Sequence, residues 1–219
     1  MPEYFTPFYF FFDLVAFLSV ILAHLVKTNR SMIRLYVVQS FAVALVLIGL
    51  GLVEEEQGLL LIGVLTLLIK GIMAPIFFAR LMRRFGSRFT VNSYLSTPVT
   101  LLALMFLVLF SYSRVFLPLS SLVPQALGLL SLNIAIIFIA LFVVINRRGA
   151  FAQIIGVLSL ENGILLLASF IGIKQPLALE MGIIFDIVVW MIIAQVFISL
   201  IYKQFGSLNT AKMKNLIEE

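Results

Sequence analysis

Long apolar runs separated by short polar connectors dominate the pattern of this chain. A helix that crosses a bilayer needs about 20 mostly apolar residues, and seven segments of the chain approach or exceed that length. The predicted spans are 5–26, 34–53, 58–80, 95–116, 124–145, 149–173 and 176–203. The connectors, such as KTNRS, EEEQG and GIKQP, hold the polar, glycine and proline residues that end helices. The pattern predicts an all-α integral membrane protein with about seven transmembrane helices.

Composition agrees with this class and excludes several kinds of chemistry. The 219 residues are 63% hydrophobic and 11% charged, whereas soluble domains carry roughly 25% charged residues. The chain has no cysteine, so it holds no iron–sulfur cluster, disulfide or thiol nucleophile of its own. A single histidine, His24, cannot supply a multi-histidine metal site. We therefore expect neither a metal nor a cofactor on this chain.

Basic residues predict the orientation of the helices, because they collect on the cytoplasmic side of membrane proteins. Twelve of the fifteen fall on one side: Lys27, Arg30, Arg34, Arg80, Arg83, Arg84, Arg88, Arg147, Arg148, Lys203, Lys212 and Lys214. The acidic run EEE at 54–56 falls on the other side. We expect the N-terminus outside and the C-terminus in the cytoplasm. The net charge of +5 follows from this topology, so nucleic acid is not an expected partner.

The connectors suggest how the chain is organised. We expect a four-helix membrane region at 1–116, a three-helix region at 117–204 and a cytoplasmic tail at 205–219. The N-terminal MPEYFTPFYF has no basic leader and no small-residue cleavage site, which predicts a mature helix rather than a removed signal. NRSMIRLYVVQS and NRRGAFAQIIGVLSLEN open the second and sixth spans in a similar way. An internal duplication and the shared chemistry of inside loops both explain that likeness.

Two carboxylic acids are predicted near the middle of the membrane. Glu161 lies about twelve residues from either end of its span, or about 18 Å deep, and Asp186 lies about 15 Å deep. A charged group at that depth costs about 2.5–3.5 kcal/mol even on insertion scales. Because asparagine or serine joins helices at lower cost, a proton relay explains Glu161 better than helix association does. Glu180 is nearer the outer surface, so depth favours Asp186 as the second relay acid.

Other polar groups in the spans have two interpretations each. Lys70, five residues before Pro75, is either a relay lysine or counter-ion of an acid in a neighbouring chain, or part of a structural ion pair with Asp13. Asn162 and its small neighbours suit close helix contact and solvation of the Glu161 carboxyl group. Gln39 and Asn133 are expected to form hydrogen bonds between helices.

These residues also carry a resemblance to known membrane subunits. The sequence is LENG at 160–163 and EMGI at 180–183, followed by Asp186, and Lys70 precedes Pro75 in the third span. Over about 1–210 the chain is similar to the component E family of hydrogenase-4, found in formate hydrogenlyase-type complexes. Its three-helix region resembles the K subunit of respiratory complex I, although there the glutamate and asparagine are several residues apart.

The resemblance implies a subunit without redox chemistry in the membrane arm of a complex I-like nickel–iron hydrogenase. It implies a multi-pass protein of the prokaryotic cytoplasmic (inner) membrane, surrounded by lipid and by other subunits, including antiporter-like ones. Glu161, Asp186, Glu180 and Lys70 would take part in proton or sodium translocation coupled to electron transfer. Two alternatives stay open, a subunit of a multisubunit cation/proton antiporter and a purely structural anchor for neighbouring subunits.

Overall fold

The protein is helical throughout most of the part that its computed structural model describes. That part comprises residues 6–85, 91–121 and 127–171, with the single positions 182, 185, 189, 192, 196, 199 and 200. The α-helices are α1 Thr6–Ala23, α2 Asn29–Val53, α3 Gln57–Thr66, α4 Ala74–Phe85, α5 Thr97–Ser111, α6 Leu117–Ser120, α7 Leu127–Asn146 and α8 Ala150–Phe170. A π-helical segment, Leu67–Met73, joins α3 to α4, and a 3-10 turn, Arg114–Phe116, precedes α6.

Four described helical stretches are long and apolar enough to cross a membrane. They are Asn29–Val53, Gln57–Arg83, Leu127–Asn146 and Ala150–Phe170, which correspond to the second, third, fifth and sixth predicted spans. The first and fourth predicted spans form shorter apolar helices, Pro7–Ala23 and Thr97–Ser111. The seventh predicted span and the tail lie outside the continuously described residues. The helical membrane class is therefore supported by these four stretches.

The helix boundaries follow from local chemistry. Thr28 is extended before α2, and its hydroxyl accepts a hydrogen bond from the Ser31 amide, as an N-cap residue does. Pro98 lies in the first turn of α5, where its missing N–H costs nothing. Gly149 separates α7 from α8 with φ of 139°, a conformation that only glycine adopts without strain.

Two helical hairpins form the centre of the described fold. α1 packs against α2 and α7 against α8, while α1 also contacts α7 and α2 contacts α8. α3 lies on α2, and α5 lies on α7. Equivalent helices of the two hairpins thus face each other, an arrangement that a duplication would produce. A duplication and shared inside-loop chemistry both remain explanations of the sequence likeness.

A short two-stranded ribbon holds one end of this centre together. Strand β1 (Asn92–Ser93) pairs antiparallel with β2 (Arg147–Arg148), directly after α7. The ribbon joins the connector before α5 to the turn between α7 and α8. It therefore fixes the end of the hairpin that carries Glu161.

Candidate functional site

A buried ion pair lies between the third predicted span and α8. The Lys70 Nζ and the Glu161 Oε2 are 3.0 Å apart. The Lys70 side chain is fully buried and that of Glu161 is 17% exposed. The two residues that the sequence singled out separately are thus in contact, and the acid opposite Lys70 belongs to the same chain.

The helix around Lys70 is not a regular α-helix. Lys70 is at the centre of the π-helical segment Leu67–Met73, and the Ala74 N–H donates to the Ile69 carbonyl five residues back. The next residue, Pro75, has no N–H to donate. Single π-helical turns widen a helix and redirect its side chains, and they are frequent at functional sites. This local widening sets the direction in which Lys70 enters the helix bundle.

Glycines bring α8 close to α7 on both sides of Glu161. A Cβ on Gly156 would lie 2.9 Å from Val144 Cγ2, and one on Gly163 would lie 3.0 Å from Ile136 Cγ2. Helices approach this closely only where the contact residue is small. The prediction that Gly163 allows close helix contact agrees with this geometry. The contact fixes the height and rotation of α8, and with them the position of Glu161.

Buried polar side chains beside the ion pair connect α2 to α8. Asn162 Nδ2 donates to Ser40 Oγ at 3.0 Å, and Gln39 Nε2 donates to the Ser159 carbonyl at 3.4 Å. All four residues are buried. Asn162 therefore joins α8 to α2, and it does so at the residue next to Glu161. Ser40 contributes to this network, and no short motif in the sequence distinguishes it from other serines in apolar runs.

Asp13 occupies a separate position, between α1 and α7. Asp13 is fully buried, with 0% of its surface accessible to solvent. The side-chain amide of Asn133, on α7, is the polar group beside the Asp13 carboxyl group. The ion pair that the structure shows for Lys70 is with Glu161 and not with Asp13.

A third polar cluster surrounds Arg147 at the end of the hairpins. Its guanidinium donates to the Ala23 carbonyl, to the Val26 carbonyl at 3.1 Å and to Ser93 Oγ at 3.0 Å. Burial lowers the pKa of Arg147 to about 10, which leaves it charged at neutral pH. The sequence marked this residue only as a loop charge. A buried arginine is not distinguishable from an exposed one in a loop without the fold.

The remaining predicted relay acids, Asp186 and Glu180, lie outside the described residues. Among the described residues, no three histidine, cysteine, aspartate or glutamate side chains come together as metal ligands would. The ion pair itself is able to exchange a proton between its members, or to open and close as nearby charge changes. The chain matches no family model, no curated protein and no solved structure.

Proposed function

We propose that this protein is a membrane-arm subunit of a complex I-like nickel–iron hydrogenase of the formate hydrogenlyase type. In this role it contributes buried charges to proton or sodium translocation coupled to electron transfer, and it performs no redox chemistry itself. The observation that carries the proposal is the Lys70–Glu161 ion pair inside a bundle of apolar helices. The motif resemblance around Glu161 and Lys70 supplies the kind of complex.

The energetics of buried ion pairs favour a functional role over a structural one. Removing two charges from water costs several kcal/mol per ion, and well-packed apolar residues often stabilise a protein as well or better. The helices that carry Lys70 and Glu161 are otherwise mostly apolar. The position of α8 is already fixed by its glycine contacts with α7 and by the Asn162–Ser40 hydrogen bond to α2. The pair is therefore better explained by its ability to change charge state.

The mechanism uses the proximity of the two groups. A proton that moves from the Lys70 ammonium to the Glu161 carboxylate converts the ion pair into a neutral amine and a carboxylic acid. The net charge is unchanged, and only the local dipole is lost. A positive charge arriving near Glu161 favours the ionised carboxylate, and a negative charge arriving near Lys70 favours the ammonium form. Either change favours the ion pair over the neutral amine and acid. Such a pair passes a change of charge from one neighbouring site to the next.

The full topology belongs to this proposal. Seven transmembrane helices, with the N-terminus outside and the C-terminus inside a prokaryotic cytoplasmic membrane, place twelve of the fifteen basic residues in the cytoplasm. Asp186 would then follow Glu161 on the next helix at similar depth, with Glu180 as an outer step. Antiporter-like subunits are the proposed neighbours along the membrane.

A comparison of the two acids tests which one continues the relay. We expect Asp186→Asn to reduce coupled ion translocation at least tenfold, because an amide does not act as an acid or a base near neutral pH, and Glu180→Gln to reduce it less. Translocation in membrane vesicles and the amount of assembled complex are measured together. The opposite ranking would assign the role to Glu180.

Purification of the full chain with its bound subunits tests the assembly. The proposal predicts a nickel–iron hydrogenase large subunit together with antiporter-like membrane subunits. Copurification with antiporter subunits alone would instead establish the alternative, a multisubunit cation/proton antiporter. Ion translocation by the same complex with variants of Glu161 distinguishes a relay subunit from a structural anchor.

A further inference from the structure

A cavity lined by arginines opens between α2 and α4, away from the ion pair. It has a volume of about 500 Å³, and its lining residues are Arg30, Ile33, Arg34, Ala79, Met82 and Arg83. Cavities of this size accommodate small organic groups. Three of the six residues are cationic and three are apolar, and no acidic residue is among them.

The arginines converge on the cavity from two helices. Arg30 and Arg34 are one turn apart on α2 and hence on the same face, and Arg83 comes from α4. All three are exposed. The Arg34 guanidinium also donates to Ser31 Oγ at 3.2 Å, which restrains its direction. Among the described residues, no carboxylate forms an ion pair with any of the three. Within the described part of the chain, their three charges are thus not neutralised by a carboxylate.

The apolar side of the cavity continues along the outside of the protein. Ile33, Ala79 and Met82 line the cavity itself. Nearer the middle of the span, Ile76 and Met73 are 46% and 54% exposed. The Phe41 side chain of α2 packs against Gly71 of the π-helical segment. Cationic groups at the mouth thus lie directly beside an exposed apolar surface.

We propose that this cavity binds the headgroup of an anionic phospholipid. Arginine pairs with phosphate through two parallel hydrogen bonds, whereas the ammonium group of lysine acts as a point charge. Three arginines from two helices therefore match a phosphodiester well. The acyl chains would lie on the exposed surface at Met73 and Ile76. Basic pockets between transmembrane helices bind lipid headgroups in this way. The bound lipid would hold α4 against α2 and thereby support the segment that carries Lys70.

Native mass spectrometry of the full chain in detergent tests this site. Phosphatidylglycerol and phosphatidylcholine with identical acyl chains are titrated separately. We expect phosphatidylglycerol to bind at least about tenfold more tightly, since each basic residue near a membrane surface contributes roughly a fivefold gain. The triple variant Arg30→Gln/Arg34→Gln/Arg83→Gln should lose this preference, and Arg83→Gln alone should lose part of it.

Arg114→Gln is the matched control, because Arg114 is exposed but lies after α5 and outside the cavity. It should retain the preference. Equal loss in this control, or no preference in the unmodified chain, would overturn the proposal. Displacement of phosphatidylglycerol by millimolar inorganic phosphate would show a free-anion site, also against it. If the lipid preference is absent while the triple variant releases a partner subunit from the purified complex, the cavity is a protein contact instead.

Discussion

A lysine and a glutamate that meet inside an apolar protein are stable together and costly apart. Lys70 has no accessible surface, and its Nζ lies 3.0 Å from the Glu161 carboxylate. The attraction between the two charges offsets part of the hydration free energy that each group lost on burial. Removal of one partner leaves an isolated charge, whereas removal of both leaves ordinary polar or apolar contacts.

This interdependence predicts a strong coupling between substitutions. Lys70→Met and Glu161→Gln are each expected to lower the free energy of unfolding by about 2–4 kcal/mol, toward the lower end for Lys70→Met because the Glu161 charge that it leaves is partly exposed. The double variant should lose at least 1 kcal/mol less than the sum of the single losses. Reversible denaturation in mixed detergent micelles measures all three. Additive losses would mean that the two side chains do not interact.

At the scale of the helices, the sequence predicted where the spans lie better than it predicted their helix type and their contacts. Apolar runs predicted α2, α7 and α8, because length and hydropathy alone decide whether a helix can cross a bilayer. The third span was predicted as a single helix at 58–80, and within it Leu67–Met73 is π-helical. Length and hydropathy predict that a span exists, but not the hydrogen-bond register inside it. Glu161 and Lys70 were both found by depth, but their contact required the packing of α8 against its neighbours.

The packing of α3 against α2 gives a prediction at this scale. A Cβ on Gly63 would lie 2.7 Å from Ile48 Cγ1 and 2.9 Å from the Ile48 backbone N. Gly63→Ala should therefore separate the helices and lower the free energy of unfolding by about 1–3 kcal/mol. Gly128→Ala is the control, since nothing lies within 4 Å of its added Cβ. Similar thermal stabilities for the two variants in detergent would contradict this packing.

Across the whole molecule, Arg147 connects segments that are far apart in sequence. It joins the end of α1 to the connector before α5, directly beside the turn that starts α8. Its neighbour Arg148 instead lies over the Tyr94 ring at 4.6 Å and is partly exposed. Two adjacent arginines in one loop, predicted alike as topology signals, thus have different structural roles.

Paired substitutions distinguish these roles. Arg147→Gln should lower the free energy of unfolding by about 2–4 kcal/mol, because three oxygen acceptors lose a charged donor. Arg148→Gln should cost less than about 1 kcal/mol, as expected for an exposed cation–π contact. Denaturation of both variants under the same detergent conditions provides the comparison. A larger loss in Arg148→Gln would contradict the assigned contacts.

The proposed topology is testable by labelling, because the chain has no native cysteine. Glu54→Cys and Arg114→Cys should react with a membrane-impermeant maleimide added to intact cells. Lys27→Cys and Arg80→Cys should react only after the membrane is opened. All four residues are exposed, so access to the reagent depends on the side of the membrane. Reaction of Lys27→Cys in intact cells would reverse the proposed orientation.

Ion translocation by the assembled complex with Glu161→Gln tests the proposed relay most directly. Glutamine keeps the size of the side chain, but it has neither the acidic proton of a carboxyl group nor the negative charge opposite Lys70. The proposal predicts complete assembly, continued electron transfer and at least a tenfold loss of translocated ions per electron, while the exposed-site control Glu54→Gln behaves normally. Full translocation by an intact Glu161→Gln complex would contradict it.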